Sequence, residues 1–173
     1  MSKRFVPEYV AEKVLDVDFD ALGSQGVRCV IFDADNTLLS YDEDVPGEHI
    51  VKLCETLKSK GFYVCILSNG HSKRIKGIAR FLDLDFIGDA LKPRRKGFKQ
   101  CIDQCGCRMD EAVAIGDQIF TDVWGARRSG CRSVLVTPIK LNNEPGFVKF
   151  KRVLEKLFKK SIRENALIMR SGE

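Results

Sequence analysis

Short apolar runs organise this chain, and they alternate with stretches whose apolar positions recur at three and four. Residues 28–33 (RCVIFD) form a run of branched and aromatic side chains ending in a carboxylate, the pattern of a strand buried on both faces. Residues 46–60 have helical spacing: Ile50, Leu53, Cys54 and Leu57 share a side, Pro46 suits a first turn and Gly61 a stop. The same reading predicts strands over 62–67, 85–87, 112–115 and 133–136, and helices over about 72–81, 97–105 and 119–129, the last stopped by Gly130. Strand alternating with helix predicts a three-layer, Rossmann-like α/β fold: a central parallel sheet covered on both faces, with right-handed crossovers. In such sheets ligands gather beyond the carboxyl ends of the strands, so Asp33, Ser68 and the Gly116-Asp117 turn should converge.

Composition bounds the picture. At 173 residues and 44% hydrophobic content the chain reads as one domain, 1–173, with enough apolar material for a core and no repeat or low-complexity run. The opening MSKRFVPEYVAEKVLDVD lacks the apolar region of a secretory leader, and no later run reaches membrane-span length. A cytoplasmic location is expected, with peripheral membrane contact as an option. Seven cysteines make an odd number, and Cys29, Cys54 and Cys65 sit within apolar segments, which fits reduced thiols better than a disulfide framework.

The net charge of +5 is unevenly placed: residues 140–173 hold nine Lys/Arg against four Glu, a balance of 9 − 4 = +5. Within this tail a basic helix is predicted over about 145–164, where Phe147, Phe150, Leu154 and Leu157 recur at helical spacing. Such a helix lies on an anionic bilayer, or packs on the sheet with its basic face solvated. No nucleic-acid-binding module is recognisable, and none is expected as a partner.

Chemistry enters at Asp33-Ala34-Asp35-Asn36-Thr37. Two carboxylates two positions apart at a strand end repel one another unless a cation or a shared proton relieves them. A calcium loop of the EF-hand type does not fit, since Leu38 stands where its glycine belongs and Asp44 where its glutamate belongs. An Asp-rich turn remains the plain alternative for this segment alone. Ser68-Asn69, Lys92 and the stretch from Gly116 to Asp122 add a hydroxyl, a cation and a second acidic pair at other strand ends. These are the parts that phosphoryl transfer needs.

In this order DxDxT, the serine, the lysine and GDxxxxD resemble the four motifs of the haloacid dehalogenase (HAD) superfamily, over residues 28 to about 136. The resemblance implies a Mg²⁺-dependent phosphomonoester hydrolase with Asp33 as nucleophile and Asp35 as general acid/base. Ser68, Asn69 and Lys92 would bind the substrate phosphate, Asp33, Asp35 and Asp117 the Mg²⁺, and Thr37 and Asp122 would support them. Asp122 also suits a helix start without any metal role. Only one helix and one strand fit into each interval between motifs, leaving no room for a large cap domain.

FVPEYV, FDADNTLL, LSNGHSKR, LKP and IGDQIFTDVWGARRSG together resemble the YqeG-type branch of subfamily IIIA, similar to the mitochondrial phosphatidylglycerophosphate phosphatase. That implies a lipid headgroup phosphate, phosphatidylglycerophosphate, as substrate. The alternatives are a soluble or protein-borne phosphate, or a non-catalytic binding module. Ala34 and Gly70-His71 depart from the branch and predict an altered surface near the substrate. Arg94-Arg95-Lys96 could attract an anion or merely start a helix. Cys101, Cys105 and Cys107 form C-x₃-C-x-C, three soft ligands with no fourth at convincing spacing.

Overall fold

The computed structural model describes residues 3–70, 73–140, 146, 148, 154, 155, 158, 162 and 165–169. Every strand predicted from the apolar runs forms. β2 (Cys29–Phe32), β3 (Tyr63–Leu67), β4 (Asp85–Ile87), β5 (Ala112–Gly116) and β6 (Arg132–Val136) join β1 (Tyr9–Ala11) and β7 (Leu167–Ile168) in one sheet. Its order is β4-β3-β2-β5-β6-β1-β7, and every pairing is parallel.

Alternation along the strands divides the core in two. Val30 and Phe32 of β2 point to the face covered by α1 (Phe19–Ser24), α2 (Glu48–Ser59) and α3 (Lys73–Phe81), where Leu22, Leu57 and Ile78 pack. Cys29 and Ile31 point to the other face, covered by α4 (Arg95–Cys105) and α5 (Trp124–Ser129) through Phe98, Ile102 and Ala126. These two cores with the sheet between them are the three layers the sequence predicts, and no large cap interrupts them among the described residues.

Three elements escape the sequence pattern. β1 and β7 are three and two residues long; β1 buries only Tyr9 and Ala11, too short a stripe to stand out, and both side chains of β7 are exposed, so main-chain pairing defines it. α1 is short and is held by Asp18, whose Oδ1 accepts from the Ala21 N–H at 2.8 Å. The helix predicted over 119–129 begins as a π-helical turn, Ile119–Val123, before α5.

The predicted tail helix falls largely on residues outside those described. At its described positions Val148, Glu155 and Ile162 are buried. Glu155 Oε1 accepts from the Ile119 N–H at 2.7 Å, and Phe158 meets Phe5 at a tilt and Phe120 edge to face. At those points the tail packs on the core.

Candidate active site

The strand order fixes where a site can form. From β2 the chain runs outward through β3 and β4, then returns to place β5 and β6 on the other side. A crevice opens at the carboxyl ends of strands where that direction reverses. Asp33 follows β2, Ser68 follows β3 and Asp117 follows β5, while Lys92 follows β4. A cavity of about 230 Å³ there is lined by Asp33, Asp35, Ser68, Asn69, Lys92 and Gln118, among others.

Lys92 is the electrostatic centre. Its ammonium lies 2.6 Å from Asp33 Oδ1 and 2.7 Å from Asp122 Oδ1. Burial works against the charged lysine, but Asp122 and Asp33 together hold its pKa above the ordinary value. The main chain of Lys92 is gripped in turn by Asn69, whose Oδ1 accepts from the Lys92 N–H at 2.5 Å while its Nδ2 donates to the Lys92 carbonyl. Asn69 thus lines the cavity with its amide committed to placing Lys92. Ser68 Oγ accepts from the Gly70 N–H at 3.1 Å, which leaves its own proton to donate.

One oxygen of Asp33 is tied to Lys92; the other, Oδ2, is buried without a hydrogen-bond partner. Burial pushes the Asp33 carboxyl up to about 7 against the pull of Lys92, and Asp122 and Asp35 add to the rise. Ligand atoms of Asp33, Asp117 and Asp122 all lie within 4.8 Å of one another. Three carboxyl groups converge here on the single cation Lys92, and hard oxygen donors in that number suit a divalent cation such as Mg²⁺. Gly116 permits this approach, since a side chain there would collide with the Asp122 carboxyl.

Asp35 is not in that trio. Its Oδ1 accepts from Arg74 Nη1 at 2.9 Å, and burial raises its pKa against the opposing charges of Arg74 and Lys92. Thr37 is buried but lines a neighbouring 490 Å³ cavity with His49 and Ile50 instead of the crevice. Of the positions expected to shape the surface near a substrate, Ala34 is fully buried in the core and Gly70 lines the cavity. His71 lies outside the described residues. Arg94, Arg95 and Lys96 are exposed at the start of α4.

Sequence reasoning gave no role to Arg74, Tyr41, Gln118, Thr121 or Val148, all of which reach Asp35 or line the cavity. A signal existed for Arg74. Lys73 and Arg74 open α3 with no acidic residue in its first turn, against the preference of a helix N-terminus for negative charge.

Comparison with known proteins adds descent to geometry. The family model for haloacid dehalogenase-like hydrolases matches residues 40–130. The chain is 31% identical to the probable phosphatase YqeG of Bacillus subtilis over 90% of both chains. It is 26% identical to the chloroplastic/mitochondrial phosphatidylglycerophosphate phosphatase 1 of Arabidopsis thaliana, over 88% of this chain and 47% of that protein. Among solved structures, the HAD phosphatase of Thermococcus onnurineus superposes with a TM-score of 0.54 at 19% identity, covering 77% of this chain and 98% of that one. That likeness concerns the fold.

Proposed function

Since the chain belongs to the haloacid dehalogenase-like hydrolases and its relatives are named phosphatases, we propose that this phosphatase cleaves phosphomonoesters through a phospho-aspartate on Asp33. The observation that carries the proposal is the convergence of Asp33, Ser68 and Lys92 on one crevice, with the Asp33, Asp117 and Asp122 trio at its base.

Mg²⁺ would be held by that trio, and when bound it offsets repulsion between the nucleophile and an anionic substrate. Lys92 fixes the orientation of Asp33 and offers its remaining proton to a phosphoryl oxygen, as does the Ser68 hydroxyl. An Asp33 oxygen attacks phosphorus while the bond to the leaving oxygen breaks, and protonated Asp35 gives that oxygen its proton. Burial favours the protonated form that this step needs. Ionised Asp35 then takes a proton from water; the water oxygen attacks phosphorus, the bond to Asp33 breaks, and inorganic phosphate leaves. Arg74 steadies Asp35 between the two steps. Asn69 acts as a positioning residue through Lys92.

We further propose phosphatidylglycerophosphate as the substrate. Its support is the likeness to the Arabidopsis enzyme and a crevice over which the described residues place no large cap, which suits a phosphate displayed on something large. Among the described residues no helix is long and apolar enough to cross a membrane. A lipid phosphate would therefore be met at its headgroup by the described domain.

The test is phosphate release from phosphatidylglycerophosphate in mixed micelles, with and without Mg²⁺, beside a soluble aryl phosphate. Expected is Mg²⁺-dependent release that favours the lipid, and a fall in kcat on the order of 10⁴ or more in Asp33→Asn with an unchanged circular-dichroism spectrum. Release from the aryl phosphate alone would keep the mechanism and overturn the lipid. Undiminished turnover by Asp33→Asn would overturn the mechanism itself.

A further inference from the structure

Six of the seven cysteines belong to the α4/α5 face of the sheet. Cys29, Cys65, Cys101 and Cys131 are buried in that core, and Cys105 and Cys107 pack against it from its half-exposed edge. Cys54, in the opposite core, shows what an ordinary buried thiol does here, filling space beside Leu57. The rim thiols are different, because space-filling does not explain two half-exposed sulfurs meeting a third.

That third is Cys29, at the first position of β2, not the Cys101 that the local C-x₃-C-x-C spacing brings forward. Sulfurs of Cys29, Cys105 and Cys107 all lie within 4.8 Å of one another. The backbone accounts for the meeting. α4 ends at Cys105, and Gly106 at φ 67° turns the chain in the left-handed conformation. The loop then runs back along β2, with the Arg28 N–H donating to the Glu111 carbonyl at 2.8 Å. Cys101 stays one turn deeper, beside Cys65.

We propose that Cys29, Cys105 and Cys107 form a binding site for a thiophilic d¹⁰ cation of the Zn²⁺ class. Zn–S bonds of about 2.3 Å place tetrahedral thiolates about 3.8 Å apart, so closing this trio takes about 1 Å of movement at most. Two of the three lie at the rim, which gives the cation an entry path. The Cys65 thiol draws Cys29 below its ordinary pKa, while burial pushes the thiols of Cys105 and Cys107 up, so a cation must displace firmly held protons at the rim. On binding, each S–H bond gives way to an S–metal bond and its proton passes to solvent.

The site is separate from the carboxylate trio. Cys29 and Asp33 lie at opposite ends of β2, roughly 13 Å apart at the rise of a strand. A cation here would pin the beginning of β2, whose far end carries Asp33, to the end of α4, whose beginning follows Lys92.

Co²⁺ is the probe, added to the full chain under reducing conditions, because thiolate ligands give it a near-ultraviolet charge-transfer absorption that carboxylates do not. Expected is one thiolate-bound Co²⁺ per chain, displaced by Zn²⁺, and a higher Tm with Zn²⁺. The absorption should survive in Asp117→Asn and vanish in Cys105→Ser/Cys107→Ser. The rim positions are chosen because serine is tolerated there more readily than at buried Cys29, and circular dichroism checks the fold. Absence of thiolate absorption in the unaltered chain overturns the proposal, and so does its persistence in the double variant.

Discussion

Lys92 faces two carboxylates at once, and each depends on it for relief from the other. Lys92→Met should cost about 3–5 kcal/mol, the usual result of removing one partner from a buried ion pair. Asp122→Asn in the same chain should recover part of that loss, because it also removes a stranded charge. Urea unfolding of the two single variants and the double variant closes the cycle, and losses that simply add would show that the groups are not coupled. Asp33 gives a second expectation. Its folded pKa of about 7 stands above the ordinary 3.8, so the folded protein holds this proton more tightly than the unfolded chain. The stability it confers without metal is full below about pH 3.8 and is lost as pH rises through about 7. Mg²⁺ at the trio favours the carboxylate and should move the titration down; carboxyl NMR with and without Mg²⁺ measures the shift. An Asp33 titration indifferent to Mg²⁺ would remove it from the metal set. Asp33, Ser68, Lys92 and Asp117 were legible because each stands at or near the end of an apolar run. The grip of Asn69 on Lys92 was not, since it depends on a contact between separate strand ends, and Arg74 left only the weak signal of a basic helix start whose partner Asp35 lies 39 positions away.

At the scale of elements, α4 and α5 meet with almost no spare room. A Cβ on Gly125 would lie 2.5 Å from Phe98 Cε2 and 3.3 Å from Pro93 Cα. Gly125→Ala should therefore destabilise by about 1–3 kcal/mol and, by displacing Pro93, lower kcat through its neighbour Lys92. Gly77 in α3 is the contrast: nothing lies within 4 Å of its added Cβ. Gly77→Ala should stabilise by about 1 kcal/mol at unchanged kcat. Thermal melts and initial rates of the two variants test both, and similar effects would deny the tight contact its role. The periodicity of 97–105 and 119–129 revealed these helices, yet it could not show the π-helical turn at Ile119–Val123. That turn brings Asp122 back so that the Gln118 N–H donates to its Oδ2 at 3.1 Å, a feature of backbone path and not of apolar spacing.

For the whole molecule, the sheet supplies an accessible crevice and the sequence supplies a net charge of +5. Attraction to an anionic micelle is long-ranged and screened, with a Debye length of about 10 Å at 0.1 M salt and 3 Å at 1 M. Over that range kcat/KM on the micellar lipid phosphate should fall several-fold, with a smaller change for the soluble aryl phosphate. Equal sensitivity would assign the effect to the crevice instead of the surface. The sheet order has a consequence of another kind. β1 has β6 and β7 as its neighbours, and the Glu8 N–H just before it donates to Ser133 Oγ across 125 positions of sequence. A ribosome adding roughly 5–20 residues per second needs about 6–25 s to make that stretch. The first strand to be synthesised thus waits for both of its partners, and through that interval the nascent chain offers chaperones a bare strand while the middle of the sheet is already able to assemble.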